Sequence, residues 1–116
     1  MNIGFIGTGY WGKNLLRNLL IQDKIKNIFV LDYNIQNIKK NPNVQYFNNK
    51  KDFFSINDID LFVISTPTKF HYEYISECLK LDKFVCVTKP FVSNIKEVLS
   101  LKKKYKNTHK IFLDHT

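Results

Sequence analysis

Gly7-Thr8-Gly9-Tyr10-Trp11-Gly12 sets three glycines at the spacing G-x-G-x-x-G. That spacing suits an anion. Gly7 permits a tight turn, Gly9 lets the backbone approach a pyrophosphate, and Gly12 lets a helix pack close to a strand. The N–H groups of Tyr10, Trp11 and Gly12 would then face the anion at the positive helix end. Asp32 stands 20 residues beyond Gly12, where a carboxylate accepts hydrogen bonds from the ribose hydroxyls of an adenosine. The same carboxylate repels a 2′-phosphate, and Tyr33 and Asn34 supply no cation to offset it. NAD is therefore the expected cofactor, with NADP disfavoured. Asp32 also reads as a turn residue or a cap for the next helix, and these roles can coexist. Methyltransferases that bind S-adenosylmethionine usually carry an acid just before the glycine loop. Here Phe5 and Ile6 occupy that place.

The elements that must position these groups are visible as alternating patterns. Short apolar runs at Ile3–Ile6, Ile28–Leu31, Val44–Phe47, Leu61–Ile64, Phe84–Val87 and Ile111–Leu113 are nearly continuous. Strands of a parallel sheet covered on both faces read in this way. Between them lie helical stripes: Leu15, Leu16, Leu19 and Leu20; Tyr74, Ile75, Cys78 and Leu79; and Ile95, Val98 and Leu99. Ser93 or Asn94 is a candidate cap for the last of these, with Glu97 in its first turn. Weaker helical segments fall at Asn34–Lys40 and Asn49–Phe54, and Asn41-Pro42-Asn43 is a turn. Six strands in β-α alternation predict an α/β, doubly wound, all-parallel Rossmann sheet of order 3-2-1-4-5-6. The glycine motif follows the first strand directly, the context that gives it weight.

Length and composition agree. The chain has 116 residues, 44% hydrophobic and 15% aromatic. We expect one dinucleotide-binding domain over residues 1–116 with its own core. The net charge is +8, yet only Arg17 of the 18 basic residues is arginine and alanine is absent. That profile suits A/T-rich coding with lysine as the default surface residue. Lys102-Lys103-Lys104 sits near a helix end, where cations complement the helix dipole. No specific nucleic-acid partner is expected. No run approaches the roughly 20 apolar residues of a membrane span, and the N-terminus lacks signal-peptide features. We expect a cytoplasmic domain without a membrane partner. Cys78 and Cys86 do not form a C-x-x-C pair and read as reduced, buried thiols. No His/Cys cluster has zinc-ligand spacing, so no metal is expected.

Further motifs carry a family resemblance. The opening Ile6-Gly7-Thr8-Gly9-Tyr10-Trp11-Gly12-Lys13-Asn14 resembles the start of sugar-nucleotide-type members of the glucose-fructose oxidoreductase/inositol dehydrogenase (Gfo/Idh/MocA) family. Ser65-Thr66-Pro67-Thr68-Lys69-Phe70-His71 resembles its T-P-x-x-x-H after the fourth strand. Val87-Thr88-Lys89-Pro90 takes the place of its E-K-P after the fifth, and His109–Thr116 resembles its sixth strand, which ends in G-H-T. The resemblance runs the full length of the chain.

It implies that Thr66 and Pro67 line the dinucleotide and that His71 starts a helix beside that pocket. It also implies that Lys89, the candidate catalytic residue, sits near the nicotinamide and the reacting carbon. A lysine there can donate a hydrogen bond to a substrate oxygen as charge develops. The residues themselves leave other readings open: His71 as a packing residue, Trp11 as a clamp for the helix start, and Lys89-Pro90 as an exposed turn. The candidate cofactor-binding set is thus Gly7, Thr8, Gly9, Tyr10, Trp11, Gly12, Asp32, Tyr33, Thr66, Pro67, His71, Thr88 and Lys89.

Two residues depart from the family pattern. Thr88 replaces the Glu of E-K-P, giving a ribose hydroxyl a neutral partner. Asp114 replaces the Gly before His115-Thr116. Family members carry a second domain after this point, holding the substrate pocket and usually the oligomer interface. The 116 residues do not include it. The expected function is the cofactor domain of an NAD-dependent oxidoreductase. The full protein would transfer hydride to or from a sugar, sugar nucleotide or cyclitol, and the parent is expected to be a homo-oligomer. The 116 residues alone would bind cofactor with little turnover. The alternative is a freestanding NAD(H)-binding sensor or one subunit of a split enzyme. An exposed apolar edge is expected near the sixth strand and the Lys89-Pro90 turn.

Overall fold

Strand residues alternate between two cores, and that alternation builds the molecule. Ile28 and Val30 belong to one buried cluster, Phe29 and Leu31 to the other. The computed structural model describes residues 1–7, 10–34, 40–88, 92 and 95–114, without the side chains of Tyr10, Trp11 and Asp114. Thr8, Gly9, Lys89, Pro90, Ser93, Asn94, His115 and Thr116, and most of the Asn34–Lys40 segment, lie outside the described residues.

The chain runs β1 (Asn2–Ile6), α1 (Tyr10–Leu20), β2 (Asn27–Leu31), β3 (Val44–Phe47), α2 (Lys50–Phe54), β4 (Leu61–Ile64), α3 (His71–Lys80), β5 (Phe84–Thr88), α4 (Ile95–Lys104) and β6 (Ile111–Asp114). The six strands form one sheet of order β3-β2-β1-β4-β5-β6, with every pairing parallel. The expected order and all six strand positions are met, to within one residue at each end. Asn49 caps α2, its side chain accepting from the N–H of Asp52. That cap fixes the helix start at the polar Asn48-Asn49 pair.

Leu16 of α1 packs with Ile3, Phe5, Ile28, Val30, Val44 and Val63 on one face. Phe53 of α2, Tyr74, Ile75, Cys78 and Leu79 of α3, and Leu101 of α4 share the other core. The stripe expected on α4 needs correcting. Ile95 and Leu99 are exposed, while Leu101 is buried. Val98, Leu101 and Tyr105 also recur at helical spacing, and Leu101 and Tyr105 are the residues that join the core. Cys78 is buried and Cys86 half-buried, and neither is joined in a disulfide. The expected apolar edge is present at the sixth strand. Phe84 and Phe112 are 44% and 52% exposed, and their rings stack with centroids 6.0 Å apart. Among the described residues, no helix is long and apolar enough to cross a membrane, and no group of His, Cys, Asp or Glu is placed to hold a metal.

Candidate functional site

The sheet order reverses at β1, between β2 and β4. In such sheets the crevice outside the carboxyl ends of the diverging strands is where a ligand sits. Two hydrogen bonds fasten the loops that border it. The N–H of Gly7 donates to Leu31 O at the end of β2 (3.0 Å), and the N–H of Ser65 donates to Ile6 O at the end of β1 (2.8 Å). The turn after β1 and the loop after β4 therefore rise from fixed strand ends.

Two glycines are required by contact. Gly7 has φ 88°, a conformation side chains disfavour, and a Cβ there would stand 2.8 Å from Thr66 Cγ2. A Cβ on Gly12 would stand 2.6 Å from Gly7 O and 3.1 Å from Ser65 Oγ. The first turn of α1 thus presses directly on the β1 turn. An N-terminal helical turn lacks intrahelical acceptors for its N–H groups, and here it borders the crevice. Thr8 and Gly9 lie outside the described residues, as do the side chains of Tyr10 and Trp11.

Asp32 follows β2, and its N–H donates to Phe47 O at 2.9 Å. Its Oδ1 accepts from the N–H of Asn34 at 2.8 Å. The turn role is therefore real. A carboxylate offers about four acceptor positions, so this turn is compatible with holding ribose hydroxyls as well. Tyr33, next to it, is 60% exposed.

Across the crevice, Pro67 is exposed and Thr66 half-buried. The hydroxyl oxygen of Thr66 is buried and has no hydrogen-bond partner among the described residues. Such an orphan beside a glycine turn fits a site completed by a polar ligand. His71 is wholly buried, the packing alternative stated above. Its Nε2–H donates to Thr66 O at 2.8 Å, so it acts on the crevice through the Thr66-Pro67 loop. Thr88, half-buried, ends β5 opposite Asp114 in the β5–β6 register. Lys89 follows it directly, outside the described residues.

Four side chains given no site role in the sequence stand near this frame. Ser65 packs its Oγ toward Gly12; its place in the Ser65-Thr66-Pro67 motif was the available signal. Lys50, at the start of α2, pairs with Glu73 of α3 and stands 5.5 Å above the ring of Tyr74. Burial works to lower the Lys50 pKa, but the hydrogen bond and charge of Glu73 carry it upward overall.

A six-stranded parallel sheet with a glycine turn at its switch point and an acid closing β2 defines a dinucleotide-binding α/β domain. The chain belongs to the Gfo/Idh/MocA oxidoreductase family with an NAD-binding Rossmann fold, whose model matches residues 1–115. Among curated proteins, the oxidoreductase YdgJ of Escherichia coli K12 is 28% identical over 103 residues, which is 87% of this chain and 30% of that protein. Among solved structures, a myo-inositol dehydrogenase from Corynebacterium glutamicum superposes with TM-score 0.88 at 22% identity, covering 97% of this chain and 35% of that one. The WlbA dehydrogenase of Chromobacterium violaceum, solved with NADH and UDP-GlcNAcA, gives TM-score 0.84 at 20% identity, covering 98% of this chain and 34% of that one. At these identities the two structures show the shared fold. The chain spans about a third of the length of these proteins.

Proposed function

We propose that this domain binds NAD(H) in preference to NADP(H) and serves a protein that transfers hydride at a hydroxyl or ketone carbon of a sugar, sugar nucleotide or cyclitol. The observation that carries the reading is the glycine cradle at Gly7 and Gly12, fastened to the end of β2 where Asp32 stands. A pyrophosphate fits against the start of α1, and the adenosine ribose fits at Asp32. The unpartnered Thr66 hydroxyl supplies a polar contact on the opposite wall. When bound, the nicotinamide supplies the hydride-accepting or hydride-donating carbon. Thr88 at the end of β5 offers a neutral hydroxyl toward the second ribose. Lys89, one residue on, is the group we assign to hydrogen-bond the reacting oxygen. The named ligands of WlbA and the inositol dehydrogenase neighbour support the substrate class.

Titration of the chain with NADH and with NADPH tests this. Energy transfer from Trp11, the only tryptophan, to the nicotinamide ring gives the readout. Saturable NADH binding that exceeds NADPH binding is expected. Asp32→Ala should weaken NADH roughly 10–100-fold, the loss of one to two charge-assisted hydrogen bonds. No binding of either nucleotide by the intact fold would overturn the reading.

A further inference from the structure

The outward face of α4 is apolar where a surface helix is ordinarily polar. Ile95 and Leu99 stand one turn apart and are 73% and 60% exposed. The rotation of the helix is fixed. Leu101 is buried in the core beneath it, and Tyr72 of α3 holds its flank. The Tyr72 hydroxyl lies 2.8 Å from Ser100 Oγ and accepts from Lys104 Nζ at 3.2 Å. At about 100° per residue, Lys96 and Lys103 fall on one side of the Ile95–Leu99 ridge and Lys102 on the other. All three are exposed, and none pairs with a carboxylate among the described residues. Glu97, the one acid of the helix, falls on the far side and is half-buried. The result is a short apolar ridge between cations, on a chain of net charge +8.

We propose that this ridge docks on an anionic lipid surface, with Ile95 and Leu99 dipping among the acyl chains and Lys96, Lys102 and Lys103 meeting the headgroups. A second copy of the chain fits poorly. Like charges would face each other, and two side chains fall far short of the roughly 800 Å² per partner that a stable dimer buries. A convex ridge suits a soft surface that closes around it. Lysine stems then stay with the apolar pair while their ammonium groups reach outward. Each lysine adds attraction once it is within a Debye length of the surface. The expectation of no membrane partner rested on the lack of a spanning run, and a surface contact needs none. The inference does not depend on the dinucleotide reading.

The experiment sediments the 116-residue chain with vesicles of mixed phosphatidylglycerol and phosphatidylcholine, and with vesicles of phosphatidylcholine alone. Binding to the anionic vesicles only, weakening as salt rises, is expected. Ile95→Gln combined with Leu99→Gln leaves every charge in place and should weaken binding roughly 10–100-fold. Ile95→Trp should strengthen it. Lys96→Gln, Lys102→Gln and Lys103→Gln together should cost about tenfold more than Lys24→Gln, Lys26→Gln and Lys51→Gln, three lysines exposed elsewhere. Urea denaturation accompanies each variant, and where a loss of stability clouds a Gln variant the gain from Ile95→Trp decides. Failure of the wild-type chain to bind the anionic vesicles would overturn the proposal and leave the ridge to an acidic protein surface. A Gln pair that binds like wild type, or equal losses from the two lysine sets, would also overturn it, because net charge alone would then explain the binding.

Discussion

His71 and Thr66 are joined across the start of α3 by a single hydrogen bond, Nε2–H to carbonyl oxygen at 2.8 Å. Because the acceptor is a carbonyl, the imidazole nitrogen facing it carries a proton. His71→Ala removes that donor and leaves a cavity in the wholly buried site. The expected loss is about 2–4 kcal/mol, combining an unpaired carbonyl with lost packing. His71→Gln retains a donor N–H and should recover part of both stability and NADH affinity. Urea denaturation and nucleotide titration of the two variants check this. Equal losses for Ala and Gln would show that the ring's volume matters and the bond does not.

Gly12→Ala meets backbone rather than a movable side chain. Its Cβ would stand 2.6 Å from Gly7 O, so α1 must shift away from the β1 turn. A destabilisation of about 1–3 kcal/mol is expected, together with loss of NADH binding as the N–H cradle moves. Gly7→Ala adds an unfavourable backbone to a 2.8 Å clash with Thr66 Cγ2, and should be the worse of the two. Chemical denaturation ranks them, and an unperturbed Gly12→Ala would refute the close approach.

Asp82 makes stability depend on acid pH. Asn107 Nδ2 donates to its Oδ1 at 2.8 Å, and Lys110 Nζ lies 3.0 Å from the same oxygen. The Asn107 bond first, then Lys110, hold the Asp82 carboxyl below the usual carboxylate value. With the folded pKa below the unfolded one, the unfolded chain binds more protons as the pH drops. The stabilisation is complete above the ordinary carboxylate pKa and is lost as pH falls through the folded value. Asp82 has φ 56°, a conformation that asparagine tolerates, so Asp82→Asn removes the charge with little backbone cost. Denaturation curves between about pH 5 and pH 3 should be flatter for this variant than for wild type. Parallel curves would dismiss the linkage.

The two thiols should separate by reactivity. Burial pushes the Cys78 thiol well above its usual pKa, whereas Cys86 is half-buried in β5. A disulfide reagent at about pH 8 should modify Cys86 in the folded chain. Cys78 should react only as the fold opens, faster in denaturant. Two equally fast thiols in buffer would contradict the packing of α3.

Patterns confined to neighbouring residues were legible in the sequence; pairings between distant ones were not. Ile28–Leu31 reads as a strand because every residue is apolar, and each face of the sheet does receive two of the four. The glycine spacing and Asp32 mark the turn after β1 and the end of β2, which the Gly7 N–H to Leu31 O bond ties together. The α4 stripe misled because Ile95, Val98 and Leu99 satisfy helical spacing as well as Val98 and Leu101 do. Only the position of β5 and α3 decides which face turns inward. Tyr74 looked like one more apolar position, since nothing near it in sequence shows that Lys50 stands over its ring. The same holds for Lys50 and Glu73, 23 residues apart. The αL turn at Asp82 carries no glycine or asparagine to announce it.

The stacked pair Phe84 and Phe112 has a colloidal consequence. It sits on β5 and β6, and among the described residues β6 lies at one edge of the sheet. A wet aromatic surface beside unpaired strand backbone is a template on which another chain can grow. Lys110 stands 5.2 Å above the Phe84 ring, held in place by Asp82. That ammonium acts as a gatekeeper, charging an exposed aromatic stretch beside the sheet's edge. The surplus of lysine elsewhere, part of the +8 net charge, keeps copies apart at long range, and Lys110 does so at contact.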